Sequence, residues 1–421
     1  MLSSNIERIK RDIENLARFT STPGQGVTRF TYTGEHKKAM DYIVEEMKKA
    51  GLKVRVDSFG NIFGRREGKK NLPPIMVGSH IDTVKNGGAF DGQAGIVAGL
   101  ELSRVLKEKD LKLDAPLEIV ALIEEEGGRF GGGLMGSRAL AGLFEEELYN
   151  LRDEEGIILF DAMKYFGLSP EKHEEARLSK GSIACFIELH VEQGPVLEKE
   201  NKDAGIVEAI VGIAQYNVTI RGRADHAGTT PMNMRLDALL KASEVIQNIN
   251  RWARQKDDYT VATVGKIKAL PGASNIVPKE VEFSVDIRSI NESSMKDIAM
   301  KIEDNLREMN GEGFETKLTN LLYVKPVFMD EKIRSVLNKT AKELELSTKD
   351  MVSGAGHDAM ILSNICPVGM IFVPSHRGRS HCPEEFTSFD QLKKGIDLLI
   401  NAVINLDGEI QAGLDFFPAG G

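Results

Sequence analysis

Short apolar runs recur along the chain, and each of them ends in ionisable side chains. Four such runs are residues 75–77 before His80, 117–123 before residues 124–126, 183–189 before His190, and 368–373 before His376 and His381. Apolar runs without polar alternation, separated by helical patterns, are typical of a mostly parallel sheet covered by helices on both faces. Ligands of such sheets bind beyond the carboxyl ends of the strands. The pattern therefore predicts an α/β domain with one shared site at that edge of its sheet.

A different rhythm occupies residues from about 211 to 327. Alternating apolar positions at Tyr216, Val218 and Ile220 predict a strand, and the order that follows, β-α-β-β-α-β, is typical of a ferredoxin-like α+β sandwich. The sheet-type pattern resumes after residue 326. We therefore predict a larger domain in two parts, residues 1–211 and 327–421, which carries the shared site. A smaller domain, residues 212–326, is inserted between them.

Composition and charge exclude several classes of function. The chain has 421 residues, of which 41% are hydrophobic and 28% charged, as in ordinary globular proteins of two or three domains. Its net charge of -9 offers a nucleic acid no overall attraction, and no apolar stretch approaches the roughly 18 to 20 residues that span a bilayer. The widely spaced Cys185, Cys366 and Cys382 fit a reducing compartment. We therefore expect a cytoplasmic protein that binds neither nucleic acid nor membrane.

The first two polar segments combine imidazole with carboxylate groups. His80, Asp82 and Asp91 follow one strand, and such a ligand set suits Zn²⁺, Mn²⁺ or Co²⁺. An isolated His-x-Asp is a weak motif, because a histidine of this kind is more often structural. The acids at residues 124–126 repel one another unless a cation or solvent offsets their charge, and a surface acidic run is the plain alternative.

Further polar segments complete the pattern. Residues 188–195 read Glu-Leu-His-Val-Glu-Gln-Gly-Pro, residues 380–384 read Ser-His-Cys-Pro-Glu, and the inserted domain adds residues 223–231, 275–278 and 286–288. In this order, the segments resemble those of the hydantoinase/carbamoylase family of metal-dependent amidohydrolases. That family is a branch of the dinuclear metallopeptidase superfamily, which also contains aminoacylases and carboxypeptidases. The resemblance covers nearly the whole chain.

The resemblance implies two divalent metal ions per subunit, either Zn²⁺, Mn²⁺ or Co²⁺. The implied ligands are His80, Asp91, Glu126, His190 and His381. His80 and His190 would share one ion with Asp91, while Glu126 and His381 hold the second. The alternative is a swapped pairing with Asp91 as the bridge.

Two acidic residues near these ligands receive catalytic roles from the same resemblance. Glu125 would be the general base, which takes a proton from water and hands it to the leaving nitrogen. Asp82 would orient the imidazole two residues before it by accepting its second N–H. In the last segment, His376 is a rival to His381 because it lies nearer to the strand. Cys382 is a ligand, a nucleophile or a small packed residue.

The resemblance also implies a set of substrate contacts. These residues are Gln193, Gln215, His226, Asn275, Arg288, Gly356 and His357. Arg288 would grip the substrate carboxylate with two N–H groups, and His226 and Asn275 would lie near the reacting carbonyl. The plain alternatives are a surface ion pair between Asp286 and Arg288 and a loop-stabilising role for His226. The family further implies that the inserted domain is a lid and forms a homodimer, with His226 reaching into the neighbouring subunit's site.

We predict an enzyme, a metal-dependent amidohydrolase that acts on a small linear amide with a free carboxylate. The favoured substrate is an N-carbamoyl-L-amino acid, whose carbamoyl C–N bond is cleaved to give the amino acid, ammonia and carbon dioxide. Allantoate amidohydrolase is the nearest alternative, and an aminoacylase or dipeptidase is a more distant one. From a different class, the alternative is a non-catalytic binding protein that kept the fold and lost its metals.

Overall fold

The computed structural model describes residues 1–411, so the end of the predicted second part of the larger domain, residues 412–421, lies outside the described residues. The chain divides into two units. The large unit comprises residues 1–208, 329–351 and the described residues from 357 onward, and the small unit comprises residues 209–328 and 352–356. No helix within residues 1–411 combines the length and the apolar character that crossing a membrane requires.

Helices and strands alternate along most of the chain. The helices are α1 Ile6–Ala17, α2 Gly34–Lys49, α3 Gln93–Glu108, α4 Met135–Ala141, α5 Leu159–Tyr165, α6 Val196–Lys199, α7 Ala238–Arg254, α8 Glu292–Gly311, α9 Glu331–Glu343, α10 Asp358–Leu362 and α11 Phe389–Gln411. The strands are β1 Lys53–Val56, β2 Ile62–Arg66, β3 Ile75–His80, β4 Leu117–Leu122, β5 Cys185–Val191, β6 Ala204–Ile210, β7 Gly212–Arg221, β8 Val261–Thr263, β9 Ile267–Leu270, β10 Glu280–Ser289, β11 Glu315–Val324, β12 Val327–Phe328, β13 Thr348–Ser353 and β14 Val368–Val373.

A mixed sheet forms the centre of the large unit. Its strand order is β1-β2-β4-β3-β5-β14-β6, and β13 also pairs with β6. The middle strands β4, β3, β5 and β14 run parallel, whereas β1, β2 and β6 pair antiparallel with their neighbours. The predicted α/β class with a mostly parallel central sheet is confirmed in these middle strands. The edges add antiparallel pairs that the apolar runs did not reveal.

Complete burial explains why the middle strands read as continuous apolar runs. Every residue of β3, β4, β5 and β14 is buried, because helices such as α3, α10 and α11 pack against the sheet. Fully burying one Val, Leu or Ile side chain contributes about 1.5 to 3 kcal/mol. These strands are therefore rigid supports for whatever residues follow at their carboxyl ends.

The small unit is the predicted α+β sandwich. Its antiparallel sheet has the order β11-β7-β10-β8, and β9 also pairs with β10. Tyr216, Val218 and Ile220 alternate along β7 and are buried in a core with residues of α7 and α8. The second predicted strand is two short strands, β8 and β9, which both pair with β10. This difference leaves the β-α-β-β-α-β order intact.

A glycine in β3 tests how closely the parallel strands pack. Gly78 lies opposite Val120 of β4, and a Cβ atom on Gly78 would lie 1.9 Å from the Val120 carbonyl oxygen. Because the two paired strands are buried and cannot easily move apart, we expect Gly78→Ala to destabilise the protein by about 3 kcal/mol, the upper end of the usual cost of overpacking. Thermal denaturation should show a clearly lower midpoint than for the parent protein.

Gly408→Ala is the matched control for this substitution. Gly408 lies in α11, and nothing lies within 4 Å of the position that its Cβ would occupy. Alanine is favoured over glycine in helices by up to about 1 kcal/mol, so this variant should melt at or above the parent midpoint. Equal midpoints for the two variants would contradict the close packing of β3 on β4.

Candidate active site

The carboxyl ends of the parallel strands carry the ionisable residues that the sequence singles out. His80 is the last residue of β3, and His190 is the penultimate residue of β5. The acids at 124–126 follow β4, and the segment that contains His381 follows β14. Asp91 lies just before α3, which packs on β3 and β5. Elements far apart in the sequence thus deliver these side chains to one edge of the sheet.

Asp91 lies at the centre of the resulting cluster. Its Oδ1 atom is 3.2 Å from His80 Nε2 and 3.1 Å from His190 Nε2. Its Oδ2 atom is 3.4 Å from His381 Nε2, and Glu126 Oε1 is 3.2 Å from the same nitrogen. Two groups of potential ligands therefore share Asp91, one with the two buried histidines and one with Glu126 and His381. The grouping of His80 with His190 and of Glu126 with His381 is that of the first pairing considered from the sequence, whereas the shared Asp91 is a feature of the alternative. The pairing of ligands with ions stays a prediction.

The two buried imidazoles present the same nitrogen to Asp91. His80 Nδ1 lies 3.1 Å from the carbonyl oxygen of Asp82, and His190 Nδ1 lies 2.9 Å from the carbonyl oxygen of Val191. Because a carbonyl only accepts hydrogen bonds, each Nδ1 carries a proton, and in the neutral form of each ring Nε2 presents a lone pair to the cluster. Such a tautomer is the one that ligates a metal ion.

One oxygen of the central carboxylate has no donor. Asp91 Oδ1 is buried and has no hydrogen-bond partner among the residues that the structure describes. A buried carboxylate oxygen that faces two lone pairs is unfavourable unless a cation lies between them. The imidazole and carboxylate donors therefore fit a divalent ion such as Zn²⁺, Mn²⁺ or Co²⁺.

The electrostatics of the cluster also favour a cation. Burial lowers the pKa of His80, but the carboxylates of Asp91, Glu125 and Asp82 outweigh it and raise that pKa well above its ordinary value. Hydrogen bonds to Asp91 and Glu126 raise the pKa of His381 to about 10. Both shifts mean that the carboxylates stabilise positive charge at this edge. A metal ion would be stabilised by the same field and would displace the protons.

Asp82 contacts the backbone of the acidic segment. Its Oδ1 and Oδ2 atoms accept the N–H groups of Glu125 and Glu126, each at 3.1 Å. The predicted contact with His80 Nδ1 differs, because Nδ1 lies 3.1 Å from the carbonyl oxygen of Asp82 and 3.8 Å from its carboxylate Oδ1. The turn after β3 directs the Asp82 side chain toward the end of β4. The Asp82 carboxylate therefore positions Glu125 and Glu126, and the imidazole of His80 is oriented by the Asp82 carbonyl group instead.

The three adjacent acids point in different directions. Glu124 is buried, and its carboxylate accepts the N–H of Phe130 at 3.3 Å. Glu125 Oε2 lies 3.9 Å from His80 Nε2, and Glu126 faces His381. Burial raises the pKa of Glu125 well above its usual value, and repulsion from Glu126 adds to this against attraction by His80. A carboxyl group with a raised pKa beside a metal-ligand cluster is suited to general acid–base chemistry.

Two predicted substrate contacts lie in the large unit beside the cluster. Gln193 Nε2 donates to Asp91 Oδ2 at 2.8 Å and lies 3.2 Å from His381 Nε2. The ring of His357 packs edge-on against that of His190, with 4.5 Å between centroids. Burial lowers the pKa of His357 well below its ordinary value, so this imidazole is neutral.

The other predicted substrate contacts lie in the small unit. They are Gln215, His226, Asn275, Arg288 and Gly356. Arg288 Nε donates to Asp286 Oδ1 at 2.9 Å and Nη1 donates to the carbonyl oxygen of Gly354 at 2.7 Å, while Gln215 Nε2 donates to Asp286 Oδ2 at 2.9 Å. The ion pair between Asp286 and Arg288, considered from the sequence as an alternative, is therefore present.

His226 and Asn275 are exposed loop residues of this unit. The Nδ1 atom of His226 accepts the N–H groups of Gly228 and Thr229 at 3.0 and 3.2 Å, and the Asn275 carbonyl oxygen accepts the N–H of Ala227 at 3.0 Å. His226 thus stabilises its loop. The same bonds fix its tautomer with the proton on Nε2, which leaves that N–H available to a ligand.

The structure separates the two candidate histidines of the last segment. His376 Nδ1 lies 2.6 Å from Glu198 Oε1, and this histidine is in neither of the two Asp91 groups. The sulfur of Cys382 accepts a hydrogen bond from Arg379 Nε at 3.4 Å, and Cys382 is in neither of the two Asp91 groups. Sequence reasoning missed Ser380, whose hydroxyl oxygen lies 2.9 Å from Asp91 Oδ2. Its only sequence signal was its place next to His381.

Comparisons with known proteins identify the class to which this fold and site belong. The family model of Peptidase family M20/M25/M40 matches residues 76–405, and the chain belongs to this family. It is 44% identical over 404 residues to N-carbamoyl-L-amino-acid amidohydrolase of Paenarthrobacter aurescens, which covers 95% of this chain and 98% of that protein. It is 38% identical over 400 residues to allantoate amidohydrolase of Bacillus subtilis (strain 168), which covers 94% and 96%.

A solved structure agrees with these relatives. The amidase of the hydantoinase/carbamoylase family from Burkholderia multivorans superposes with a TM-score of 0.89 at 33% identity and covers 96% of this chain and 98% of that one. The predicted family is therefore confirmed, as is the prediction that the chain is a hydrolase of C–N bonds in linear amides. A non-catalytic binding protein on the same fold is correspondingly disfavoured.

The ligand cluster predicts that divalent ions stabilise the folded protein. A ligand that binds only the native state stabilises it by about 4 kcal/mol at a free concentration of about 1,000 times Kd. We therefore expect the thermal midpoint to fall when a strong chelator is added and to recover when Zn²⁺ or Mn²⁺ is supplied in excess. Asp91→Ala is the control, because loss of the shared ligand should make the midpoint insensitive to chelator. A parent protein with the same midpoint in both conditions would exclude the metal centre.

Proposed function

We propose that the protein hydrolyses the carbamoyl C–N bond of N-carbamoyl-L-amino acids. The products are the free amino acid, ammonia and carbon dioxide. The observation that carries this proposal is the donor-free Asp91 Oδ1 between two imidazole Nε2 atoms, with Glu125 beside them. The higher identity to the carbamoyl amino acid relative, 44% against 38%, supports this substrate over allantoate.

Allantoate hydrolysis is the second candidate. The similarity to the Bacillus subtilis enzyme extends over 94% of this chain. Allantoate has the same two functional groups as the favoured substrate, namely a carboxylate and a ureido group. Both candidates therefore use the same proposed residues, and only measured turnover distinguishes them.

The metal centre is part of this proposal. Two divalent ions, Zn²⁺, Mn²⁺ or Co²⁺, would be held by His80, Asp91, Glu126, His190 and His381. They would supply Lewis acidity to the scissile carbonyl and make a nearby water more acidic. Asp82 supports the arrangement through the two N–H groups that it accepts from the segment of Glu125 and Glu126.

Glu125 is the proposed general base and acid. Its carboxylate takes a proton from the attacking water, whose oxygen forms a bond to the carbamoyl carbon. The C–N bond to the leaving nitrogen then breaks, and Glu125 returns the proton to that nitrogen. The carbamic acid that remains loses carbon dioxide, which breaks the second C–N bond and completes the release of the amino acid and ammonia. The raised pKa of Glu125, caused mainly by burial, supports this role, because it favours the protonated form that must return the proton to the leaving nitrogen.

Arg288 is the proposed clamp for the substrate carboxylate. Of its five N–H groups, three have acceptors: Nε and Nη2 face Asp286, the latter at 3.4 Å, and Nη1 faces the Gly354 carbonyl. No acceptor for the other two is recorded within the described part of the chain. Two parallel N–H groups on one guanidinium suit a bidentate carboxylate. Gln193, Gln215, His226, Asn275, Gly356 and His357 complete the proposed contacts.

We also propose an oligomeric state and a cellular location for the protein. We infer a homodimer that forms through the inserted domain, residues 212–326. The same domain would act as a lid for the catalytic domain, whose two parts are residues 1–211 and 327–421. Most of the exposed large apolar side chains of the described chain lie on the small unit, including Leu240, Val261 and Ile267, and this supports an interface there. Three free cysteines support a reducing, cytoplasmic setting.

A substrate panel tests the proposed reaction. Metal-reconstituted protein should hydrolyse N-carbamoyl-L-amino acids faster than allantoate, N-carbamoyl-β-alanine, N-carbamoyl-D-amino acids and N-acetyl amino acids, measured by release of ammonia or amino acid. Glu125→Gln should lose turnover at unchanged metal content by elemental analysis, because only proton transfer is removed. Preferred turnover of allantoate would favour the second candidate, and parental kcat in Glu125→Gln would contradict the assigned base.

The carboxylate clamp has its own test. Arg288→Ala should lower kcat/KM for an N-carbamoyl-L-amino acid, because a charge-assisted bidentate pair is lost. The loss of transition-state stabilisation should be about 2 to 5 kcal/mol. The same substitution should matter little for a substrate whose carboxylate is capped as an amide. Arg221→Ala is the control, since Arg221 is an exposed arginine of the same sheet that pairs with Glu280 and Glu315. Equal parental rates on the free acid and the capped substrate would exclude the clamp.

A further inference from the structure

A buried glutamate links the two loops that carry Asp91 and His381. Glu385 is 5% exposed, and its Oε1 atom accepts the N–H groups of Phe90 at 2.9 Å and Asp91 at 3.0 Å. Its Oε2 atom accepts the hydroxyl of Ser380 at 2.6 Å. Ser380 directly precedes His381 and its hydroxyl is also 2.9 Å from Asp91 Oδ2. One carboxylate thus contacts both loops at the ligand cluster.

The loop before Asp91 is shaped around this carboxylate. A Cβ atom on Gly88 would lie 2.1 Å from Glu385 Oε1. Only glycine at this position lets the backbone approach the carboxylate so closely. The carboxylate of Glu385 is therefore enclosed by the Asp91 loop and is shielded from solvent.

Through its ring, His381 contacts members of the cluster, namely Asp91, Glu126 and Gln193. Its side chain is 48% exposed, and its backbone has a left-handed φ of 55°, which is uncommon for a residue other than glycine. Such a conformation persists only where the surroundings determine it. The neighbouring ion pair between Arg379 and Glu384 is exposed on both sides and contributes little. Ser380 and, through it, Glu385 therefore connect the His381 loop to the Asp91 loop.

We propose that Glu385 is a positioning residue that sets the spacing between Asp91 and His381 in the second ligand group. It acts through Ser380 and the Asp91 backbone, and it touches no ligand side chain except by way of that hydroxyl. His80 and His190 are held by fully buried strands and need no such link. The inference rests on the proposed function only in treating these residues as metal ligands, so metal binding tests it independently of turnover.

The test is calorimetric titration of the metal-free, full-length protein with Mn²⁺ alone. The parent should show two binding steps. Loss of a group that supports metal ligands typically weakens binding 10- to 100-fold, so Glu385→Ala should weaken one step by this factor and leave the other within about twofold. Ser380→Ala should weaken the same step. Glu385→Gln keeps an acceptor for both backbone N–H groups and should fall between parent and alanine variant.

Glu384→Ala is the matched control. Glu384 is adjacent in sequence but exposed, and its carboxylate pairs with Arg379 at 3.0 Å. Its variant should bind Mn²⁺ like the parent. The thermal midpoints of the metal-free variants, measured alongside, separate a positioning role from a general loss of folding. If Glu385→Ala does not fold, Glu385→Gln and Ser380→Ala provide the test.

Several results would overturn the inference. These are two unchanged steps in Glu385→Ala and Ser380→Ala, equal weakening of both steps, the same weakening in Glu384→Ala, or a parent that binds fewer than two ions. A parent that binds two ions but hydrolyses no carbamoyl or ureido substrate would contradict the proposed function alone. The positioning role of Glu385 would then still stand on the binding data.

Discussion

The buried carboxylate of Asp91 is the constraint on which the rest of the site depends. Its Oδ1 atom faces two imidazole lone pairs, and its Oδ2 atom faces His381 at 3.4 Å. Leaving a carboxylate buried and uncompensated costs several kcal/mol. A fold that keeps this arrangement must place positive charge between these atoms, either as protons on the histidines or as metal ions. The raised pKa of His80 reflects this requirement, because without a metal ion the positive charge is a proton on the imidazole.

The two ligand groups that share Asp91 are held in physically different ways. His80 and His190 belong to strands in which every residue is buried, so backbone pairing and core packing fix them. Glu126 and His381 lie on segments beyond strand ends, where hydrogen bonds to Asp82 and Ser380 replace packing. Loops on a rigid scaffold are free to change with less effect on folding. The second group is therefore the adjustable half of the centre.

Much of the fold followed from the period of the apolar positions. Runs such as 75–77 and 117–123 predict buried parallel strands because both faces are covered, and β3 and β4 are buried throughout. The antiparallel edges were not predictable in this way. A strand such as β1 is partly exposed, and its own sequence does not specify which distant strand will pair with it or in which direction. The split of one predicted strand into β8 and β9 has the same origin, since both depend on pairing with β10.

For the site, residue types and order indicated the chemistry, and contacts decided the roles. The His-x-Asp spacing places Asp82 near the imidazole, but it does not specify whether the carbonyl or the carboxylate of Asp82 accepts the Nδ1–H group. In the structure the carbonyl does. Adjacent acids pose the same problem. Glu384 and Glu385 are identical in type, yet one is exposed and the other accepts two backbone N–H groups at the Asp91 loop. That distinction arises only when loops hundreds of residues apart meet, because burial of a loop side chain is set by its distant neighbours and not by its local sequence.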